Sequence, residues 1–162
     1  MKNKLFATFV IVVLIAAQSQ AKIFLTATNG SPFSVQDGAA HLIPLLPSGA
    51  NTLTFKTTVV NQKVIIQFNA ECAVVGKDYD TWLDLNILVD GKAVPPSNGD
   101  NALCTSIGGE IGSHWVSAIT TAVAIVRSPG THTLQVQGAF GFSHFSAGDL
   151  WWIDDSSTIV FN

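Results

Sequence analysis

From residue 51 onward the chain alternates in character every second residue, and that period restricts it to extended strands. In Lys63 to Glu71, Val64, Ile66, Phe68 and Ala70 fall on one side, with Ile65, Gln67, Asn69 and Glu71 on the other. In Trp82 to Asp90 the odd positions Leu83, Leu85, Ile87 and Val89 are apolar, and Asp90-Gly91 is the dipeptide of a tight hairpin. His114 to Arg127 puts Trp115, Ile119, Val123 and Ile125 on one parity and small or β-branched residues on the other. Ser128-Pro129-Gly130 ends that run, and Thr131 to Phe142 reads as a second long strand antiparallel to it. Leu150 to Asp154 and Thr158 to Phe161 form a last strand with a bulge at Asp155-Ser156, and Asn51 to Thr58 an earlier one. No amphipathic helix competes. With one or two strands in Ile23 to Ile43 the total is about eight, which predicts an all-β, two-sheet antiparallel β-sandwich of jelly-roll type.

The first 21 residues read differently. Met1-Lys2-Asn3-Lys4 precedes the apolar run Leu5 to Ala17, and Ser19 and Ala21 are small residues three and one positions before a cut after Ala21. This is the pattern of a cleaved secretory signal peptide, and its apolar run is shorter than the roughly 20 residues a spanning helix needs. The expected product is secreted, to the cell surface, the extracellular space or a periplasm, with no transmembrane segment in the mature chain. Removing Lys2 and Lys4 leaves six basic against eleven acidic residues, a net charge of −5, which makes nucleic acid an unsuitable partner. Cys72 and Cys104 are the two cysteines, and in an oxidising compartment one disulfide is expected. Closing that loop stabilises a fold by roughly 3 to 4 kcal/mol in the chain-entropy account. Residues 22–50, holding only Lys22 and Asp37 as charged groups and broken by Pro32, Pro44 and Pro47, read either as edge strands or as an arm that adds to a neighbour's sheet. Residues 51–162 are the sandwich core. Asn29-Gly30-Ser31 is a glycosylation sequon.

The inventory for chemistry is thin. His114, His132 and His144 lie in no metal-binding spacing, and no nucleophile elbow, P-loop or dinucleotide fingerprint occurs. Asp78, Asp80 and Asp84 lack the glycine of a calcium loop, and Asp154 with Asp155 is a weak candidate for a structural Ca²⁺. No catalytic residues are assigned and no other cofactor is implied. Aromatic residues carry more information, Trp82, Trp115, Trp151 and Trp152 above all. Trp151 and Trp152 are adjacent, so a strand sends one inward and one outward, and Trp82 is out of phase with its apolar face. Trp82, Trp151 and Trp152 are therefore the candidate ligand-binding residues, and Phe140, Phe142 and Phe145 lead into a Gly/Ser loop.

The segments Val64 to Cys72, Trp82 to Gly91, Ser97 to Cys104, Gly130 to Gln137 and Trp151 to Asp155 together resemble small exported bacterial β-sandwich proteins. Their pattern is broadly similar to C1q and tumour-necrosis-factor-like domains, and the Ile153-Asp154-Asp155 ending to jelly-roll carbohydrate-binding modules. The first likeness implies a trimeric homo-oligomer; the second implies glycan binding and a calcium-held aspartate. The combined expectation is a non-enzymatic exported sandwich that works by binding or self-assembly, with a surface protein or a second copy as partner. The alternative is a carbohydrate-binding module using exposed tryptophans. The third reading is a hydrolase of unfamiliar type, which needs one of the three histidines and a carboxylate to converge in a cleft.

Overall fold

The computed structural model describes residues 21–76, 81–96, 102–106, 115–141 and 146–162. Asp78, Asp80, His114, His144, Phe142 and Phe145 lie outside the described residues. Eleven strand segments occur among the described residues: β1 (Ile23–Asn29), β2 (Phe33–Val35), β3 (His41–Leu42), β4 (Leu53–Thr57), β5 (Gln62–Val75), β6 (Trp82–Val89), β7 (Lys92–Ala93), β8 (Ala102–Thr105), β9 (Val116–Val126), β10 (Gly130–Phe140) and β11 (Leu150–Phe161). Every pairing is antiparallel. The first sheet runs β1-β11-β5-β9 with β2 also on β11; the second runs β3-β10-β6-β7, with β4 on β10 and β8 on β6. The chain is an all-β two-sheet sandwich, and the count exceeds eight because β2, β3 and β7 are two or three residues long.

The core is what period-two patterning requires. Val64, Ile66 and Phe68 of β5 and Val160 of β11 meet Leu83, Leu85 and Ile87 of β6 and Leu134 and Val136 of β10, all with essentially no exposure. Burying one such side chain contributes about 1.5–3 kcal/mol. Asp90-Gly91 forms the expected tight turn, both residues having positive φ (50° and 74°). The bulge in β11 also stands where the sequence places it: the register slips between Asp154 and Ser157, and Asp155 takes φ 42°.

Two features depart from the sequence reading. The strands on either side of Ser128-Pro129-Gly130 do not form a hairpin. β9 pairs with β5 in the first sheet and β10 with β6 in the second, so this turn carries the chain across the sandwich. β9 finds partners for eleven residues on β5, and β10 for seven on β6 and five on β4. Residues 22–50 pair within their own chain: β1 and β2 on β11, β3 on β10, with Ile43 and Leu45 buried.

The inner side of β9 is lined by Ala118, Thr120, Ala122, Ala124 and Val126, because β8 and β6 lie close against it and leave room only for small side chains. The bulky parity therefore points out of the molecule. Trp115, Ile119, Val123 and Ile125 are 41%, 56%, 40% and 67% exposed.

Candidate functional site: the outer face of the first sheet

Strand registry converts that observation into a surface. Reading across β1, β11, β5 and β9, Ile23, Phe161, Ile65 and Val123 form one continuous outward row. The next row is Thr26, Ile159, Gln67 and Thr121, followed by Thr28, Ser157, Asn69 and Ile119. Lys63 and Ile125 lie beyond the first row; Asp154, Glu71 and Ser117 lie beyond the third. The face is thus apolar toward one end, mixed in its middle and acidic at the other. Four strands about 4.8 Å apart and ten residues long at about 3.3 Å each give a flat area of about 600 Å² before side-chain relief. That is comparable with the roughly 800 Å² per partner of a stable interface.

At the acidic end a shallow depression of about 340 Å³ is lined by Asn69, Glu71, Ser117, Ile119 and Asp155. Next to it Trp152 and Trp115 pack against each other at a centroid distance of 6.3 Å. Of the three candidate tryptophans, Trp152 alone belongs to this face. Trp151 cannot stack on a ligand, because it is completely buried in edge contact with Phe33 at 5.6 Å. Gly138 makes room for it: a Cβ there would stand 3.1 Å from the indole. Trp82 is half-buried over Gly141 and donates its indole N–H to Asp84 Oδ1 at 2.9 Å, which fixes it as packing. Sequence reasoning left Trp115 out of the ligand-binding set and missed the apolar row as a binding surface. The signal was present in the bulky odd parity of β9, but which parity faces out depends on β8 and β6 lying against the other side.

Of the two aspartates offered for calcium, Asp154 Oδ1 accepts the backbone N–H of Asp155 at 2.9 Å, a contact that shapes the bulge. Among the described residues no group of three or more His, Cys, Asp or Glu side chains converges as metal ligands.

Two described histidines meet a carboxylate: His41 lies 2.7 Å from Asp37 at the surface, and His132 contacts Asp90. His132, buried at the start of β10, donates from Nδ1 to Asp90 Oδ2 at 2.8 Å, and its Nε2 lies 3.2 Å from Thr57 Oγ1 and 3.1 Å from the Ser128 carbonyl. Asp90 also accepts the Thr133 N–H at 2.9 Å. Burial of the Asp90 carboxylate opposes ionisation, but the hydrogen bonds from His132 and Thr133 outweigh it and hold its pKa below the usual range. A hydroxyl, an imidazole and a carboxylate in series are the parts of a nucleophilic relay. Here the hydroxyl belongs to Thr57, which is 3% exposed and also donates to the Ser128 carbonyl, so it cannot meet a substrate. The arrangement ties β4, the β6–β7 turn and the turn before β10 together. A cleft of about 540 Å³ is lined by Asp90 and His132 themselves, with Lys92, Val94, Arg127 and Ser128 on its walls.

Cys72 on β5 and Cys104 on β8 are buried neighbouring thiols, unbonded in this structure and on strands of opposite sheets. The neighbouring Cys72 thiol, together with burial, pushes the Cys104 thiol far above the ordinary thiol range.

No family model matches the chain, and no curated protein matches it. Among solved structures it is similar to the infectious bursal disease virus VP2 subviral particle, with a TM-score of 0.50 and 15% identity over 88% of this chain. The Gx strain of the same virus superposes with a TM-score of 0.48 and 12% identity over 89% of this chain. The chain spans about a third of each viral chain, 33% and 32%. At this identity the likeness is one of fold.

Proposed function

We propose that this is an exported, non-catalytic β-sandwich that works by self-association through the outer face of its first sheet. The observation that carries the reading is the inverted packing of β9, which leaves Ile119, Val123 and Ile125 in water beside Ile23, Phe161 and Ile65. Soluble monomers rarely expose contiguous apolar patches larger than a few hundred Å² without a partner to cover them. Fold similarity to a domain of a virus particle is compatible with assembly and adds support. The signal-peptide pattern read in residues 1–21 supports export, and export in turn supports oxidation of Cys72 and Cys104 to a disulfide that staples the two sheets. Light scattering on residues 22–162, which carry every described strand, tests the reading. Wild-type protein should exceed the single-chain mass, and Ile119→Lys, which alters an exposed side chain only, should return it to one chain with an unchanged melting temperature.

A second reading has its own observation. The Trp115–Trp152 pair beside the Asn69 and Glu71 depression offers a stacking surface next to hydrogen-bonding groups, the combination a glycan requires. Saturable tryptophan quenching by soluble oligosaccharides, lost in Trp152→Ala, is its expected signature.

A further inference from the structure

The charges on β5 are distributed so that they match themselves after a half-turn. Gln67 of β5 stands directly beside Thr121 of β9, with Ile159 of β11 on its other side. Along β5, Lys63 lies four residues before Gln67 and Glu71 four after; along β9, Ile119 and Val123 lie two residues either side of Thr121. The basic group, the acidic group and the apolar pair are thus centred on one row. At the acidic end Asp154 stands beside Glu71 across the sheet. A two-fold axis lying along that row reverses strand direction and keeps lateral order. It sets Val123 over Ile119 and Lys63 over Glu71 of the second copy, and does so twice, while Ile23, Phe161 and Ile65 meet Thr28, Ser157 and Asn69. Lys63 and Glu71 are about 26 Å apart at 3.3 Å per residue, so both pairs fall within one face. The alternative axis, parallel to the strands, would bring the acidic end of one copy, with Glu71 and Asp154, onto the acidic end of the other.

We infer that the partner is a second copy of this chain, packed face to face and antiparallel as an isologous dimer about the Ile159–Gln67–Thr121 row. The inference rests on the self-association reading and adds its geometry. Isologous interfaces require self-complementarity of this kind, in which residue i meets j and j meets i. Opposite charges at such an interface set orientation and register more than affinity.

The test is charge reversal read by sedimentation equilibrium at low salt. Lys63→Glu and Glu71→Lys should each weaken association about tenfold, since each places two like-charge pairs across the axis. Mixing the two single variants should recover wild-type association as a heterodimer. In that mixture the two reversed side chains face each other with opposite charges, and on the other side of the axis the unaltered Lys63 faces the unaltered Glu71. The double variant should recover as well. Both sites are exposed, and unchanged melting temperatures would exclude misfolding as the cause. Single variants that associate like wild type, or a mixture that fails to recover, would overturn the two-fold. Val123→Lys separates the two levels. If it dissociates the protein while charge reversals do nothing, the face is right and the axis wrong; if it has no effect, the face reading itself fails, and a wild-type protein that stays monomeric at every concentration removes both.

Discussion

Asp90 is the residue where turn chemistry and packing meet. Its positive φ and its neighbour Gly91 build the hairpin, and its carboxylate then accepts from His132 and from the Thr133 amide. The hairpin was legible in the Asp-Gly dipeptide. Its use as the acceptor for a buried histidine was not, because His132 lies 42 residues away and comes near only when β10 pairs with β6. Asp90→Asn keeps the turn and removes the charge, so it should cost about 1 kcal/mol in urea denaturation, below the value of a buried charged hydrogen bond because the carboxylate is half exposed. The pH dependence has a definite sign. Asp90 has a folded pKa below its unfolded value of about 3.9, so its contribution is fully present above that value and is lost as pH falls through the lower, folded one. Asp37 shares the direction, through hydrogen bonds from His41 and the Ala39 amide. Wild-type stability should therefore fall below about pH 4, and Asp90→Asn should fall less steeply over the same interval. An identical slope in the variant would contradict the assignment.

At the scale of elements, the strands that bury one full face were readable, and the edge strand was only half readable. The alternation in β5 and β6 names their inner residues because the opposite parity is polar or smaller. In β9 both parities are apolar or small, so hydrophobicity alone does not choose; the room left by β8 and β6 does. The bulge at Asp155 was legible as a break in parity within β11, whereas the crossover at Ser128–Gly130 was not, since a turn signal says nothing about which sheet the next strand joins. The two cysteines belong to this scale, because Cys72 and Cys104 stand on β5 and β8, in opposite sheets. Protein recovered from an exported fraction should weigh two hydrogens less than the reduced chain. Cys104→Ala should lose roughly 3 kcal/mol, through the lost loop-entropy effect. Full reactivity of both thiols toward a thiol reagent in the folded exported protein would contradict the bridge. Their burial and the raised Cys104 thiol imply slow reaction even when reduced, so the mass is the deciding readout.

The whole molecule is a sandwich whose two sheets differ in their outer faces. The outer side of the second sheet carries Gln135, Gln137, Asn86 and Thr133, an ordinary wet surface, while the first sheet turns Ile23, Phe161, Ile65 and Val123 to solvent in one row. The row exists only once β1, β11, β5 and β9 are in register. Hydroxyl-radical labelling of side chains, compared between dilute and concentrated protein, tests this claim most directly. The account predicts that Phe161, Ile65 and Ile119 become protected as concentration rises while Leu88, on the outer side of the second sheet, labels equally at both. Uniform labelling of the two faces at every concentration, or protection confined to the second sheet, would contradict it.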